Sequence, residues 1–581
     1  MKTLLTFILA IVSLTVHGAS PSFGAFKASQ FGNNASTSIW LTNEMLYNVQ
    51  DFGADPTGVT NSTAAINSAL VAGSIFYPPG KYLITGPLNV PDNRFIKHLP
   101  GAILLVSVNR NYANATTMNA AFYQNSDTNT GSNIWIEGGI FDGNQAIQTP
   151  ISYSGNNPFL GGIQFLWFNM TNLTIKDVEF RNQMNYATQL SEVSNFVVSG
   201  MRMNNSGSGL HQDGVHLNGP CGIGLIENIW RNSGNDDEIA LNANDGGTGS
   251  VPIQGVIHDI VVRNVDCAGP GNPYSGSGVR ILNSTYAISN IDISGIHGFY
   301  GCQGVISMLA LEGTPSIGVS DLSIHDCSAF SADGTCGFIT STMWVNDIQL
   351  NNIQWTGNDG ANIPPATYVA EFVSWYPSAG TTTNFSASHI VINDFGGTNI
   401  SSAYNSVFHF QTAPITNLTI SDITVSRKPT AATGHWLLET SVPILNATIN
   451  GATLNGFFGP LQINSGGSVV NFQATGILPF YALPPVVVSG SNVDCSQSAI
   501  QQITVTGPQA FQLTKNTPGN TVLLRVLNNA TGNTIVFGAQ AGMTNYWVGG
   551  VINTTPLDNS RSDYTIVCYT NEFHISYAGY K

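Results

Sequence analysis

Charge is scarce in this sequence. Its 581 residues include 18 Lys and Arg against 33 Asp and Glu, 9% charged in all, for a formal net charge of −15. Cations so few and so outnumbered exclude the basic face that nucleic acid demands. Cysteine is sparse as well, seven in the whole chain, and the spacings form no metal-type pairs. Cys327 and Cys336 are close enough in sequence for a bridge to be open to them, and the odd count leaves at least one thiol unpaired within a monomer. Long apolar runs are missing beyond the first twenty residues, so no membrane span is expected. The one run, Leu4 to about Val16, follows a lysine and precedes Gly18 and Ala19. It reads as a secretory signal over residues 1–18, followed by an arm over 19–45, and implies a secreted product. Helical periodicity is nearly absent too.

What is present is a repeated strand. The segments NLTIKDVEF (172–180), NFVVSGMRM (195–203), GLIENIW (224–230), HDIVVRNV (258–265), SNIDISGI (289–296), SDLSIHDC (320–327), NDIQLNNI (346–353), SHIVINDF (388–395), TNLTISDITV (416–425) and LNATINGATL (445–454) share one design. Each alternates apolar and polar residues, passes a Gly, Asn or Asp turn, and adds another apolar residue. A unit that cannot bury its own apolar face stacks on copies of itself, and short strands with a turn at each corner stack as a parallel β-helix. Asparagines in FRNQ, MNNSG, IWRNSG and LNNIQ suit the corners, because Asn tolerates left-handed backbone. A propeller would need several strands per repeat at a steadier period.

Upstream, YNVQDFGADPTGVTNSTAAINSALVAGSIFYPPGKYLI (47–84) supplies a short helix that Asn61 can cap, with Ile66, Ala69 and Leu70 facing inward, then a strand and a Pro-Gly turn. This segment resembles the opening of the pectate-lyase-like β-helix proteins, among them phage tail-spike depolymerases and relatives of glycoside hydrolase family 28. The resemblance covers roughly residues 46–476. It implies an all-β, right-handed parallel β-helix whose N-terminal helix caps the open end. From about Ile477 the coil pattern stops, and NTVLLRVLNN, NTIVFGAQ and FHISYAGY read as a separate C-terminal β-sandwich module over 477–581, suited to capping or to homo-oligomer assembly.

The chemistry concentrates in HQDGVHLNGPCGIGLIENIWRNSGNDDEIALNAND (211–245). Asp213 and Asp236 are about one short coil apart, so they can occupy equivalent places on adjacent coils, roughly 4.8 Å from one another. A bend at Asn235–Asp237 would bring Asp237 to the same point. Crowded carboxylates repel, so one keeps its proton toward neutral pH while others ionise. That division supplies a general acid and a general base. Such a pair is what glycoside hydrolysis uses; turn capping or a Ca²⁺ site is the other use of clustered aspartates.

The stretch looks like the catalytic segment of family 28, the polygalacturonase-type enzymes, in which Asn-Thr-Asp-Gly precedes Gln-Asp-Asp by about one coil. HQDG (211–214) takes the first place and NDDE (235–238) the second. The resemblance implies Asp236 as general acid, Asp213 and Asp237 as the residues that activate water, inversion of configuration, and no cofactor or metal. GVRILN (278–283) matches the family's Arg-Ile-Lys motif at Arg280 and Ile281, but Leu282 stands where a lysine belongs, and no Gly-His-Gly coil intervenes. Arg280 is thereby a substrate-binding residue on the rung where the family places its histidine. His211 and His216 are placed with it as substrate contacts, with tuning of an aspartate or hydrogen bonding along the strand also open to them. The partner implied is a polysaccharide, uronate-bearing or neutral. A lyase acting on a uronic-acid glycan and a non-catalytic glycan-binding spike are the competing readings. Three acids beside one arginine suit a hydrolase better than a lyase.

Overall fold

The structure is a computed structural model. It describes residues 45–477 except 109–118, 126–129, 149–161, 206–210, 233–235, 245–253, 268–275, 301–303, 311–315, 332–336, 358–370, 396–405, 428–435, 456–458, 465–466 and 476, together with the strand backbones between Val486 and Gly579. The expected signal and arm, and Asn235 and Cys336, lie outside the described residues.

Among the described residues the repeats form one 32-stranded sheet in which the pairings of long strands are parallel and join one coil to the next. Phe165–Lys176 pairs with Thr188–Ser199, which pairs with Val215–Arg231, then Ile257–Cys267, and so on to Pro443–Asn455. A second file of short strands runs alongside, from Ile239–Asn242 through Val279–Asn283 and Ile306–Ala310 to Gly459–Ile463. Wound together, the two files make a nearly closed parallel β-helix.

Alternation in the sequence becomes a core of stacked columns. Ile175, Val198, Ile226, Val262, Ile293 and Ile324 sit in one register and are wholly buried. Burying each such side chain contributes about 1.5–3 kcal/mol. The column forces the register, because a slip of one residue would turn each of these side chains to solvent. Trp167 and Trp375 also belong to this core and are not exposed for stacking on sugar.

Corners are held by polar ladders. Asn133 donates to Asn93 at 2.7 Å, Asn172 to Asn133 at 2.8 Å, and Asn195 to Asn172, all four with φ near +55 to +60°. Of the corner asparagines anticipated above, Asn182 and Asn352 adopt left-handed backbone. Asn232 works instead through its side chain, donating to Asn204.

The helix spans Thr63–Ala72 and buries Ile66, Ala69 and Leu70, as its pattern required. Its cap differs by one residue from expectation: Ser62 is the N-cap, and Asn61 accepts from the Thr63 N–H at 3.0 Å. Beyond 477 the strands form a six-stranded and a three-stranded sheet. Thr521–Asn528 pairs antiparallel with Arg561–Cys568, whereas Asn492–Asp494, Gln509–Thr514 and Ile535–Gly538 are parallel. Cys221, Cys267 and Cys327 are buried, and the bridge left open between Cys327 and Cys336 ends on a residue outside the described ones.

Candidate functional site

The site grows from the place where two coils meet. Val215 pairs with Ile239 and His216 with Ala240, so the turns just before these strands, carrying Asp213 and Asp236–Asp237, lie one rung apart. Gly214 sits between them because space is short. A Cβ there would meet the Glu238 carbonyl at 2.3 Å. The next rung follows directly: Ala240 pairs with Arg280, with no intervening strand.

The three carboxylates converge, with one oxygen from each of Asp213, Asp236 and Asp237 within 4.8 Å of the others. Asp213 and Asp237 are buried, while the Asp236 side chain keeps 21% exposure. His211 Nδ1 lies 2.8 Å from Asp236 Oδ2 at the mouth of the site. His216 Nδ1 lies 2.5 Å from Asp213 Oδ2, its Nε2 is 2.8 Å from Asn218 Oδ1, and its ring stacks on Tyr186 at 3.9 Å. Asp237 accepts from the Ser277 N–H at 2.9 Å and from Arg280 Nη1 at 3.4 Å.

These neighbours split the acids. Burial, then the charges of Asp213 and Asp236, push the Asp237 carboxyl up to about 7 against the opposing pull of Arg280 and Ser277. Burial and then Asp236 raise Asp213, with His216 and Arg280 opposing. For Asp236 burial is again the strongest single influence and acts upward, but the His211 hydrogen bond and charge, Arg280 and the Asp237 N–H together hold it below the ordinary carboxylate range. The surroundings thus push the two inner acids up and the outer one down.

His216 was expected at the substrate. With 1% of its side chain exposed, it cannot touch a sugar, and it takes the other role open to it, facing Asp213. His211 and Arg280 do reach the site. Two other arginines near this stretch in sequence are paired elsewhere, Arg181 with Glu179 and Arg263 with Glu227. His258 sits on Asp259, 45% exposed, away from the acids. Sequence reasoning missed Ser277 and Tyr186. Ser277 acts through its backbone N–H, which leaves no side-chain signal, and Tyr186 is brought in by stacking from the preceding coil.

With the geometry in place, the chain can be set beside known proteins. Residues 46–333 match the family described as Rhamnogalacturonase A/epimerase, pectate lyase-like. A polygalacturonase of Prunus persica is 22% identical over 291 residues, 48% of this chain and 67% of that one. Among solved structures, the Yersinia enterocolitica family 28 exopolygalacturonase is 13% identical with a TM-score of 0.42, covering 74% of this chain and 78% of its own. The A-module of a mannuronan C-5 epimerase from Azotobacter vinelandii is 16% identical with a TM-score of 0.41, covering 74% and 98%.

Proposed function

We propose that this protein is a polysaccharide-cleaving glycoside hydrolase, secreted, with Asp213, Asp236 and Asp237 as its acid/base machinery. The observation that carries the reading is three converging carboxylates whose surroundings push the inner two up and the outer one down. A general acid must reach the glycosidic oxygen, and Asp236 is the most exposed of the three. His211 holds Asp236 below the ordinary carboxylate range and so favours its charged form. A sugar that displaces His211 removes that hold, and a proton stored on the buried acids can pass outward to Asp236, which gives it to the leaving oxygen. Asp213 and Asp237, relieved of the proton, then orient and deprotonate water. Arg280 faces a carboxylate or hydroxyl of the substrate. The C-terminal sheets, read as a β-sandwich module, would serve assembly, and the N-terminal helix would close the solenoid.

Inversion rests on the family resemblance. The oxygens here are closer than the roughly 6.5–9.5 Å that leaves water room between two carboxyls in most inverting enzymes, so water must sit beside the cluster. The same closeness favours a second reading, elimination from a uronate with a cation on these hard oxygen ligands.

One experiment separates them. Wild-type protein and Asp236→Asn are incubated with a panel of uronate-bearing and neutral polysaccharides, following reducing ends, ultraviolet absorbance and calcium dependence. Hydrolysis gives saturated reducing products, and Asp236→Asn loses about two to four orders of magnitude in turnover while still binding. An unsaturated, calcium-dependent product would overturn the hydrolase.

A further inference from the structure

Inside the solenoid, directly behind the site, one column breaks its own rule. Phe141, Phe180, Met203, Arg231 and Cys267 share a register and are all buried. Four are apolar or nearly so. The fourth in line is an arginine with 0% exposure, although an ionised group so placed costs several kcal/mol unless it is richly hydrogen-bonded.

Its contacts show where that cost is offset. Arg231 Nη1 donates to the Asp237 carbonyl at 3.2 Å, and Nη2 donates to the Gln212 carbonyl. Gln212 immediately precedes Asp213, and Asp237 carries its own carboxyl into the cluster. One planar guanidinium therefore spans the two turns that bear the acids, gripping both from within. The Asp237 carbonyl also accepts from the Gly214 N–H at 3.0 Å, so the grip and the rung ladder pull on the same atom. Glu238 is fully buried nearby, where it feels the charges of Arg231 and Asp266, and neither of its carboxylate oxygens has a hydrogen-bond partner among the described residues. Arg231 itself never reaches the groove.

We propose that Arg231 is a positioning residue that sets the separation of Asp213 from Asp236 and Asp237 across one rung, with Glu238 as its buried counterpart. The catalytic part of this rests on the hydrolase reading above; the geometric part does not. A fork of fixed angle suits the task, because it fixes distance and orientation together, whereas an ammonium fixes only a point charge. Displacing an acid by about 1 Å is enough to lose about 100-fold in rate.

The test uses the full chain with Arg231→Lys, Arg231→Met, Glu238→Gln and the double variant Arg231→Met/Glu238→Gln. On a polysaccharide that the wild type cleaves, Arg231→Met should lose about 100-fold in kcat with KM within about threefold, and Arg231→Lys should recover part of it. The double variant removes the buried cation and leaves a neutral amide in place of the buried carboxyl, so no ionisable group is left without its partner and the unfolding midpoint should return toward wild type while kcat stays low. Recovery of wild-type kcat in the double variant would mean that Arg231 serves stability alone and would overturn the proposal. Crystal structures of the wild type and the double variant decide the geometric part without any substrate. The separation of the Gln212 and Asp237 carbonyl oxygens should widen by roughly 0.5 Å or more while neighbouring rungs keep their spacing. An unchanged separation overturns the proposal. A wild type inactive on every polysaccharide would instead fell the hydrolase reading and leave this comparison standing.

Discussion

Asp237→Asn asks whether the site is assembled against its own electrostatics. The carboxyl moves from an ordinary 3.8 to about 7, mainly through burial and then through Asp213 and Asp236. In the unfolded chain it sheds its proton near pH 4; in the native protein it holds on until about 7. Between those values the native state binds more protons, so stability present at low pH is lost as pH rises, to a total of about 4 kcal/mol above pH 7. An amide has the same outline and no proton to lose. The Ser277 N–H can still donate to the amide oxygen, and only the 3.4 Å contact from Arg280 is sacrificed. We expect equal stability of variant and wild type near pH 4, and a gain for the variant that grows to roughly 2–4 kcal/mol at pH 8. Urea unfolding followed by tryptophan fluorescence at pH 4, 5.5, 7 and 8 measures it. A gain that is absent, or the same at pH 4 and pH 8, would refute the reasoning, because neither burial nor the neighbouring charges could then be acting on Asp237. Turnover should fall in the same variant, so that stability and activity move in opposite directions.

Arg280→Ala should raise KM for a uronate-bearing substrate by about tenfold or more while leaving a neutral one within about threefold; equal effects would mean that Arg280 orders Asp237 and does not read charge. His211→Ala removes the hydrogen bond and charge that hold Asp236 down, so the pH–rate profile should move upward, and an unmoved profile would show that His211 does not face Asp236 in the working enzyme. Asn172→Ala should destabilise by about 2 kcal/mol, from the left-handed backbone and the lost ladder bonds together, with Asn172→Gly recovering the backbone share in urea unfolding.

Much of this was legible in the sequence, for a physical reason. A solenoid repeats one local solution, so alternation in NLTIKDVEF and its copies writes both the strands and their buried columns. The aspartates could be found because one coil of spacing translates into one rung. His216 could not be placed, since its burial depends on Tyr186 arriving from the preceding coil to stack on its ring. The protonation order escaped for a similar reason. Asp236 and Asp237 are neighbours in the chain, yet one faces His211 and the other is sealed behind it, and side-chain direction at a turn is not written in spacing. Arg231 lies inside the acidic stretch 211–245 with nothing in the spacing to single it out; its position in the Phe180–Met203–Cys267 column appears once register is known.

The corner ladder has an architectural consequence. Asn172 and Asn195 are 23 residues apart, Asn446 and Asn417 29, Asn384 and Asn417 33, and Asn93 and Asn133 40, yet each pair is joined side chain to side chain. Contour length between rungs is therefore decoupled from rung height. Segments on the far side of a coil can be lengthened, shortened or exchanged as cassettes without changing the pitch on which Asp213, Asp236 and Arg280 are mounted. New specificity can be tried by splicing in such cassettes, and the acids need not be realigned each time.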